Sequence, residues 1–133
     1  MNLLAPALVA LLAGVPAPSD YVRLARPGDR IPLDAETSFV YGFTKAPKLG
    51  TATLRVEILR RDGTRDTSFT VRGDADMPSM RGAHSTGSKA FSVSSKGVYL
   101  LPVNLVMPGD WEVRLTFERG GKTLLRGAYL FDI

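Results

Sequence analysis

The chain has 133 residues, a formal net charge of +4 and no cysteine. This length suits one domain with a self-sufficient hydrophobic core, and the lack of cysteine excludes disulfides and a lipid-modified cysteine anchor. Basic and acidic residues are interleaved, as in residues 60–66, so the sequence predicts a mixed solvated surface and no nucleic-acid partner.

The first segment in chain order is apolar. Residues 3–13 contain only Leu, Ala, Val and one Pro, and small residues and prolines follow them, as in the apolar region and cleavage zone of a secretory signal peptide. The run is shorter than the roughly 20 apolar residues that a membrane-spanning helix needs. We therefore predict a signal peptide at 1–19, cleaved after Ala17 or Ser19, and no stable membrane span. The remaining single domain, 20–133, is then exported to the periplasm or another extracytoplasmic side of the cell envelope.

From residue 20 onward the apolar residues recur with a period of two, and no long run has helical spacing. The first strands are predicted at 21–26 and 36–44, the second with Phe39, Tyr41 and Phe43 on one face. This pattern predicts an all-β domain.

The next two predicted strands flank the dipeptide Asp62-Gly63. Apolar residues alternate on both sides of it: Leu54, Val56 and Ile58 before, and Thr67, Phe69 and Val71 after. Directly opposed residues of an antiparallel pair share a face, and aspartate followed by glycine suits a type I′ turn. We therefore predict a hairpin with a two-residue turn that pairs Ile58 with Thr67, Val56 with Phe69 and Leu54 with Val71.

Three further strands are predicted after residue 97. The first two have these apolar faces: Tyr99, Leu101, Val103 and Leu105, then Trp111, Val113, Leu115 and Phe117. A five-residue loop at 106–110 would pair Leu105 with Trp111 in a hairpin. Pro102 lies inside the first of these strands and cannot donate to a ladder, so it predicts a bulge or a free edge there.

The last hairpin can close in two ways. A two-residue turn at Gly120-Gly121 would set Leu115 against Arg126, which does not suit a core. A three-residue loop at 119–121, with Gly121 in the left-handed region, would instead pair Leu115 with Leu125. We predict the second arrangement.

Altogether about seven to eight strands are predicted, with the spacing of an immunoglobulin-like antiparallel β-sandwich. If the strands alternate in direction, the loops at 45–52, 73–87 and 106–110 gather at one end. The loop at 73–87 is long compared with a median of about 4 to 6 residues, and long loops are usually functional or disordered.

These loops contain the soft ligands of the chain. Met77 and Met80 share the long loop with the sole histidine, His84, and Met107 lies in a second loop that is predicted at the same end. Thioethers suit Cu(I), and imidazole suits copper and zinc. The residues therefore predict a copper(I) site at Met77, Met80, His84 and Met107. The alternative is that the methionines fill gaps at the open end of the sandwich while His84 is solvated.

The same region carries a recognisable series of motifs: Met77-Pro78-Ser79-Met80, His84, Gly87, Gly97-Val98-Tyr99 and Met107-Pro108-Gly109-Asp110-Trp111. Over residues 73–117 this series resembles the extracytoplasmic YtkA-like and FixH-like domains of bacteria. The resemblance implies an envelope-located, immunoglobulin-like sandwich. Because some members of that family are associated with copper handling or oxidase assembly, it also implies a possible copper site.

Other functions have less support in the sequence. Asp74 and Asp76 could approach Ca²⁺, but two carboxylates fall short of the roughly 6 to 8 oxygen ligands that Ca²⁺ takes. His84-Ser85 lacks a strained nucleophile turn, so we expect no enzymatic activity. The main alternative to copper is a metal-free interaction domain. It would dock onto an envelope or membrane protein through the end where these loops gather or through the edge strand near Pro102.

Overall fold

The computed structural model describes residues 20–133, and the predicted signal peptide at 1–19 lies outside the described residues. The strands, in chain order, are β1 (Val22–Arg23), β2 (Ile31–Pro32), β3 (Thr37–Phe43), β4 (Gly50–Arg60), β5 (Thr70–Asp76), β6 (Lys89–Ala90), β7 (Ser92–Val93), β8 (Tyr99–Leu105), β9 (Asp110–Arg119) and β10 (Lys122–Asp132). One short 3-10 helix, Pro78–Met80, follows β5. Within residues 20–133 no helix has the length and apolar character to cross a membrane.

The strands form two five-stranded sheets. Sheet 1 has the order β1-β10-β9-β5-β6 and sheet 2 the order β2-β3-β4-β8-β7. Neighbouring strands are antiparallel except for β1 and β10, which are parallel. The prediction of an all-β, immunoglobulin-like sandwich is confirmed. The described strands number ten instead of seven to eight because four of them, β1, β2, β6 and β7, have only two residues each.

The core lies between the two sheets and contains the residues that the period-two pattern predicted. In β4 the inward residues Leu54, Val56 and Ile58 are at most 1% exposed. The rings of Phe39 from sheet 2 and Phe117 from sheet 1 meet across the core with centroids 4.2 Å apart. Removing such apolar surface from water is the main term that stabilises a sandwich of this kind.

The predicted hairpin at Asp62-Gly63 is wrong as a pairing of neighbouring strands. β4 pairs with β3 and β8 in sheet 2, whereas β5 pairs with β9 and β6 in sheet 1. A short ladder does form, but its turn has three residues, 61–63, instead of the predicted two. The N–H of Arg60 donates to the carbonyl of Thr64 at 2.8 Å, and Leu59 lies opposite Arg65. Beyond it the buried carboxylate of Asp66 accepts the Ser68 N–H at 2.8 Å, and the chain crosses to sheet 1. Two strands that face each other across the core bury alternate residues in the same way as two neighbouring strands of one sheet. The alternation of apolar residues therefore could not distinguish these two arrangements.

The predicted hairpin between β8 and β9 is wrong for the same reason. β8 pairs with β4 and β7 in sheet 2, and β9 pairs with β5 and β10 in sheet 1. The loop at 106–109 therefore joins the two sheets. The indole N–H of Trp111 donates to the carbonyl of Met107 at 3.0 Å, which anchors this crossing to the core. Leu105 and Trp111 are both fully buried, as predicted, although their strands lie in different sheets.

The pairing of β9 with β10 is confirmed, but the predicted loop and register are wrong. The turn has two residues, Gly120-Gly121, with φ of 59° and 77°, as a type I′ turn requires. A bulge between Thr123 and Leu125 then shifts the register, so that Leu115 lies opposite Gly127 instead of Leu125. The extra residue in the bulge puts the odd-numbered residues of β10 on the same face as those of β9. We had predicted that a three-residue loop would do this.

Of the bulge or free edge predicted at Pro102, the structure shows the free edge. β7 pairs only with Tyr99 and Leu100, so from Leu101 to Leu105 the same side of β8 carries no strand among residues 20–133. Proline is tolerated there because its missing N–H faces no ladder partner.

Candidate functional site at the loop end

Strand direction brings three loops together at one end of the sandwich, at residues 44–49, 77–88 and 106–109, which we call the loop end. The N–H of Ser79, in the second loop, donates to the carboxylate of Asp110, just after the third loop, at 3.0 Å. Leu49 of the first loop lines a small cavity together with Pro108 of the third. Gly109 and Ile133 also exchange two backbone hydrogen bonds, at 3.0 and 3.1 Å. The predicted shared end is therefore confirmed, because consecutive long strands alternate in direction whichever sheet they join.

The loop after β5 is held by one buried carboxylate. Asp76 is 5% exposed and accepts the N–H of Met77 at 2.9 Å and the N–H of Gly82 at 3.2 Å. The N–H of Met80 donates to the carbonyl of Met77 at 3.0 Å, which closes the 3-10 turn. A buried carboxylate is satisfied only when such donors converge on it, so Asp76 sets the shape of the loop.

Charged side chains of sheet 1 extend this network outward. Arg81 donates to Glu112 at 2.7 Å, and Arg114 donates to the same carboxylate at 2.9 Å. Burial raises the pKa of Glu112, but the hydrogen bonds from Arg81 and then Arg114 outweigh it and lower that pKa overall. Next to them burial raises the pKa of Asp74, whose Oδ1 is buried with no hydrogen-bond partner in the described part of the chain.

Met77 belongs to the core. Its side chain is 2% exposed, and its methyl carbon lies 2.8 Å from where a Cβ on Gly109 would stand. A side chain at Gly109 would therefore displace this methyl group, and the φ of 137° at Gly109 favours glycine. Met107 is half-buried and packs against the same core.

Met80 and His84 lie elsewhere. Met80 is 41% exposed on the surface of the loop end. His84 is half-buried and lines an open cavity of about 440 Å³, together with Thr51, Ser85, Thr86, Lys89, Pro102, Val103, Asn104 and Val106. Among these described lining residues none is a methionine. The structure thus brings Met77 and Met107 to the core under the loop end, Met80 to its surface and His84 to its side.

The donor set available for a metal is dominated by sulfur. Among residues 20–133 no three His, Asp or Glu side chains gather closely enough to hold a metal ion. Asp76, which could have joined a calcium site, already accepts backbone N–H groups. The four-residue site at Met77, Met80, His84 and Met107 stays a prediction, and only soft-metal chemistry suits it.

Two residues near the site were not predicted from the sequence. Asp110 anchors the long loop by accepting hydrogen bonds from Ser79. The sequence could not indicate this contact, because the two residues lie 31 positions apart. Lys89 lines the cavity beside His84. Since Lys89 precedes the buried Phe91 by two residues, the period of two could have placed it on the inner face.

Comparison with known proteins gives a family and a fold. The family model described as YtkA-like matches residues 35–116. A crystal structure of FetP from uropathogenic E. coli strain F11, produced in the periplasm of E. coli BL21(DE3), matches with a TM-score of 0.53 and 12% sequence identity, over 80% of this chain and 93% of that chain. At this identity the likeness concerns the fold. No curated protein matches the chain.

Proposed function

The chain belongs to the YtkA-like family, and from this premise we propose that it is an exported β-sandwich domain that binds or delivers copper(I) at the loop end. The ligands would be Met77, Met80, His84 and Met107. The domain would act in the periplasm or elsewhere on the extracytoplasmic side of the envelope, without enzymatic activity. The predicted signal peptide and the periplasmic production of FetP, which has the same fold, support this location.

One observation carries the copper proposal: the strand directions bring every methionine beyond Met1, and the only histidine, to the neighbourhood of one end. Thioether sulfur and imidazole nitrogen are the ligands that a soft ion such as Cu(I) prefers, and harder ions such as Ca²⁺ prefer oxygen. The donor chemistry therefore fits copper(I).

The described positions of the side chains indicate how such a site would assemble. Met80 is exposed and needs no rearrangement to meet an ion. Met77 is buried, so its sulfur reaches an ion only if the 3-10 turn at Pro78–Met80 shifts away from Gly109. The hydrogen bonds from the loop to Asp76 and Asp110 resist that shift. Copper affinity should therefore depend on Met80 directly and on Met77 through the opening of the loop.

The test is a titration of the full chain with Cu(I) against a competing chelator. We expect Met77→Leu/Met80→Leu to weaken binding by about tenfold or more, because leucine keeps the volume and removes the sulfur. Met80→Leu alone should account for most of the loss. Leu49→Ala, which changes an exposed apolar residue at the same end, is the matched control and should bind normally.

Two further properties follow from the ligands. Zn(II) should bind more weakly than Cu(I), and acid should weaken binding because a protonated imidazole is no longer a ligand. Equally weak Cu(I) binding by the parent chain and the double variant would end the copper proposal.

A second function, a metal-free domain that docks onto an envelope protein, is favoured by a different observation. Leu49 and Val106 are 57% and 53% exposed at the loop end, whose long loop also carries the exposed Met80. Exposed apolar side chains that gather at one end of a domain mark a protein contact surface. A photo-crosslinking residue at position 49 should give one defined adduct in whole cells, and the same residue at Leu130, exposed on sheet 1, should not. Adducts of equal pattern from both positions would contradict docking at the loop end.

A further inference from the structure

The edge of sheet 2 is only half filled. β7 pairs with Tyr99 and Leu100, and in this register the residues opposite Pro102 and Asn104 would be 90 and 88. Those residues are elsewhere, because the buried Phe91 carries the chain across the core and β6 pairs with β5 in sheet 1. Within residues 20–133, no strand therefore lies beside β8 on this side from Leu101 to Leu105. We call this unfilled strand position the vacant row.

The vacant row faces backbone groups that can form a ladder. The carbonyl of Val98 accepts the Ser94 N–H at 2.8 Å, and that of Leu100 accepts the Ser92 hydroxyl at 3.3 Å. Backbone groups alternate in direction along a strand, so those of Pro102 and Asn104 point to the same side. Proline supplies a carbonyl there, and Asn104 supplies both an N–H and a carbonyl.

The described residues that line the vacant row on the side away from β8 are polar, and none of them is acidic. The cavity of about 440 Å³ separates β8 from the segment that carries His84, Ser85 and Lys89. Lys89 is exposed and lines the cavity. Its partner in β5 is Gly73, whose Cβ position faces the ring of Phe91, so Lys89 lies on the cavity side of β6. No Asp or Glu is among the described residues that line this cavity, so the ammonium of Lys89 has no carboxylate partner inside it.

We propose that an extended peptide segment with a carboxylate, from a partner protein, binds in this vacant row. The segment adds a strand to β8 through the backbone of Pro102 and Asn104, and its carboxylate pairs with Lys89. Main-chain hydrogen bonds at a sheet edge are a known basis for peptide binding, and a cavity of this size falls within the roughly 300 to 1,000 Å³ of ligand pockets. The inference rests on the docking function proposed above and gives it a second surface and a partner chemistry.

One physical alternative uses the same residues. Proline in an edge strand and a lysine on an edge strand both hinder unwanted strand pairing. If that is their only role, peptides do not bind, and replacing Lys89 makes the protein associate with itself.

The probe is a pool of random hexapeptides with free carboxyl termini, added to the isotopically labelled full chain. We expect the amide resonances of Asn104 and its neighbours to shift, and the apparent affinity to fall by about tenfold when the pool is amidated at the C-terminus. Lys89→Met, which keeps the aliphatic stem, should cause a similar loss. Lys122→Met, at the exposed start of β10, is the matched control and should bind normally.

A second pool, N-methylated at alternate residues, tests the strand geometry without altering the protein. It should not bind, because methylated amides cannot donate to β8. Binding that survives methylation but needs Lys89 would overturn strand addition and leave a simple carboxylate site. Absence of shifts with every pool, or self-association of Lys89→Met, would overturn the proposal in favour of edge protection. Cu(I) affinity should be unchanged in Lys89→Met, so failure here is separate from failure of the copper proposal.

Discussion

At the scale of single residues, Asp34 joins the two sheets at the end opposite the loop end. Its carboxylate accepts the N–H and the hydroxyl of Thr37, each at 2.7 Å, which fixes the start of β3. The guanidinium of Arg119, at the end of β9, donates to it at 2.6 Å. These bonds, with that of the Thr37 hydroxyl the strongest, lower the pKa of Asp34 to about 2, and burial opposes them only in part.

We predict that Asp34→Ala lowers the free energy of unfolding by about 2 kcal/mol at neutral pH, as loss of hydrogen bonds to a charged group does. Because the native pKa lies below the ordinary value of 3.8, the unfolded chain binds the proton first as the pH falls. The stabilisation is therefore present above about pH 4 and is lost towards about pH 2. Urea unfolding at several pH values measures this effect. The difference in the free energy of unfolding between parent and variant should narrow as the pH falls from about 4 to about 2.

The control for this prediction is Glu36→Ala. Glu36 is exposed and lies 3.8 Å from Arg61, and both side chains are more than 70% exposed. Exposed pairs contribute little, so the change should cost less than about 1 kcal/mol at any pH. A gap for Asp34→Ala that stays constant from pH 7 to pH 2 would contradict the role assigned to its carboxylate.

At the scale of elements, the bulge in β10 determines how β1 packs. After the bulge Gly127 lies opposite Leu115, and the side chain of Leu24, just after β1, lies over Gly127. A Cβ on Gly127 would stand 2.2 Å from a methyl group of Leu24. The same strand also pairs with β1 in parallel register, so a side chain at 127 would push β1 off the sheet.

We predict that Gly127→Ala lowers the free energy of unfolding by about 1 to 3 kcal/mol, as overpacking does. Gly42→Ala is the matched strand control, because its Cβ would meet only Pro27, at 3.7 Å. Adding Leu24→Ala should recover part of the loss, since the new methyl group then occupies the vacated space. Thermal unfolding of Gly127→Ala, Leu24→Ala and the double variant tests this coupling, and strictly additive losses would contradict it.

At the scale of the whole molecule, four crossings of the chain make the sheets interdependent. The chain changes sheet after β1, β4, β6 and β8, so neither sheet is a continuous piece of sequence. Phe117 is fully buried and meets Phe39 of the other sheet across the core. A defect at this contact should therefore destabilise both sheets together.

We predict that Phe117→Ala lowers the free energy of unfolding by about 4 kcal/mol, through lost burial and the cavity that remains. Trp111 fluorescence, which reports on sheet 1, and far-UV circular dichroism should give the same midpoint in urea. Val93→Ala, at a residue that is 45% exposed, should stay within about 0.5 kcal/mol of the parent. Separate transitions for the two signals would show that the sheets unfold independently.

The fold class, the inward face of most strands and the shared loop end could all be predicted from the sequence. These follow from the period of two and from alternating strand direction, which are local properties of the chain. Pro102 predicted a bulge or a free edge, because proline has no N–H to donate to a neighbouring strand. The structure shows the free edge, while Thr53 of β4 lies opposite Pro102 on the other side of β8.

The tertiary structure alone decided which strands are neighbours. Strands beside each other and strands facing each other across the core bury the same alternate residues, so β4 with β5, and β8 with β9, could not be assigned from their patterns. The bulge in β10 could not be predicted for a similar reason. It places the same alternate residues of β10 on the inner face as the three-residue loop that we predicted. For the site, the residue types at Met77, Met80 and His84 indicated the ligand chemistry. Only the folded chain shows that Met77 is buried beside Gly109 and that Met80 is exposed.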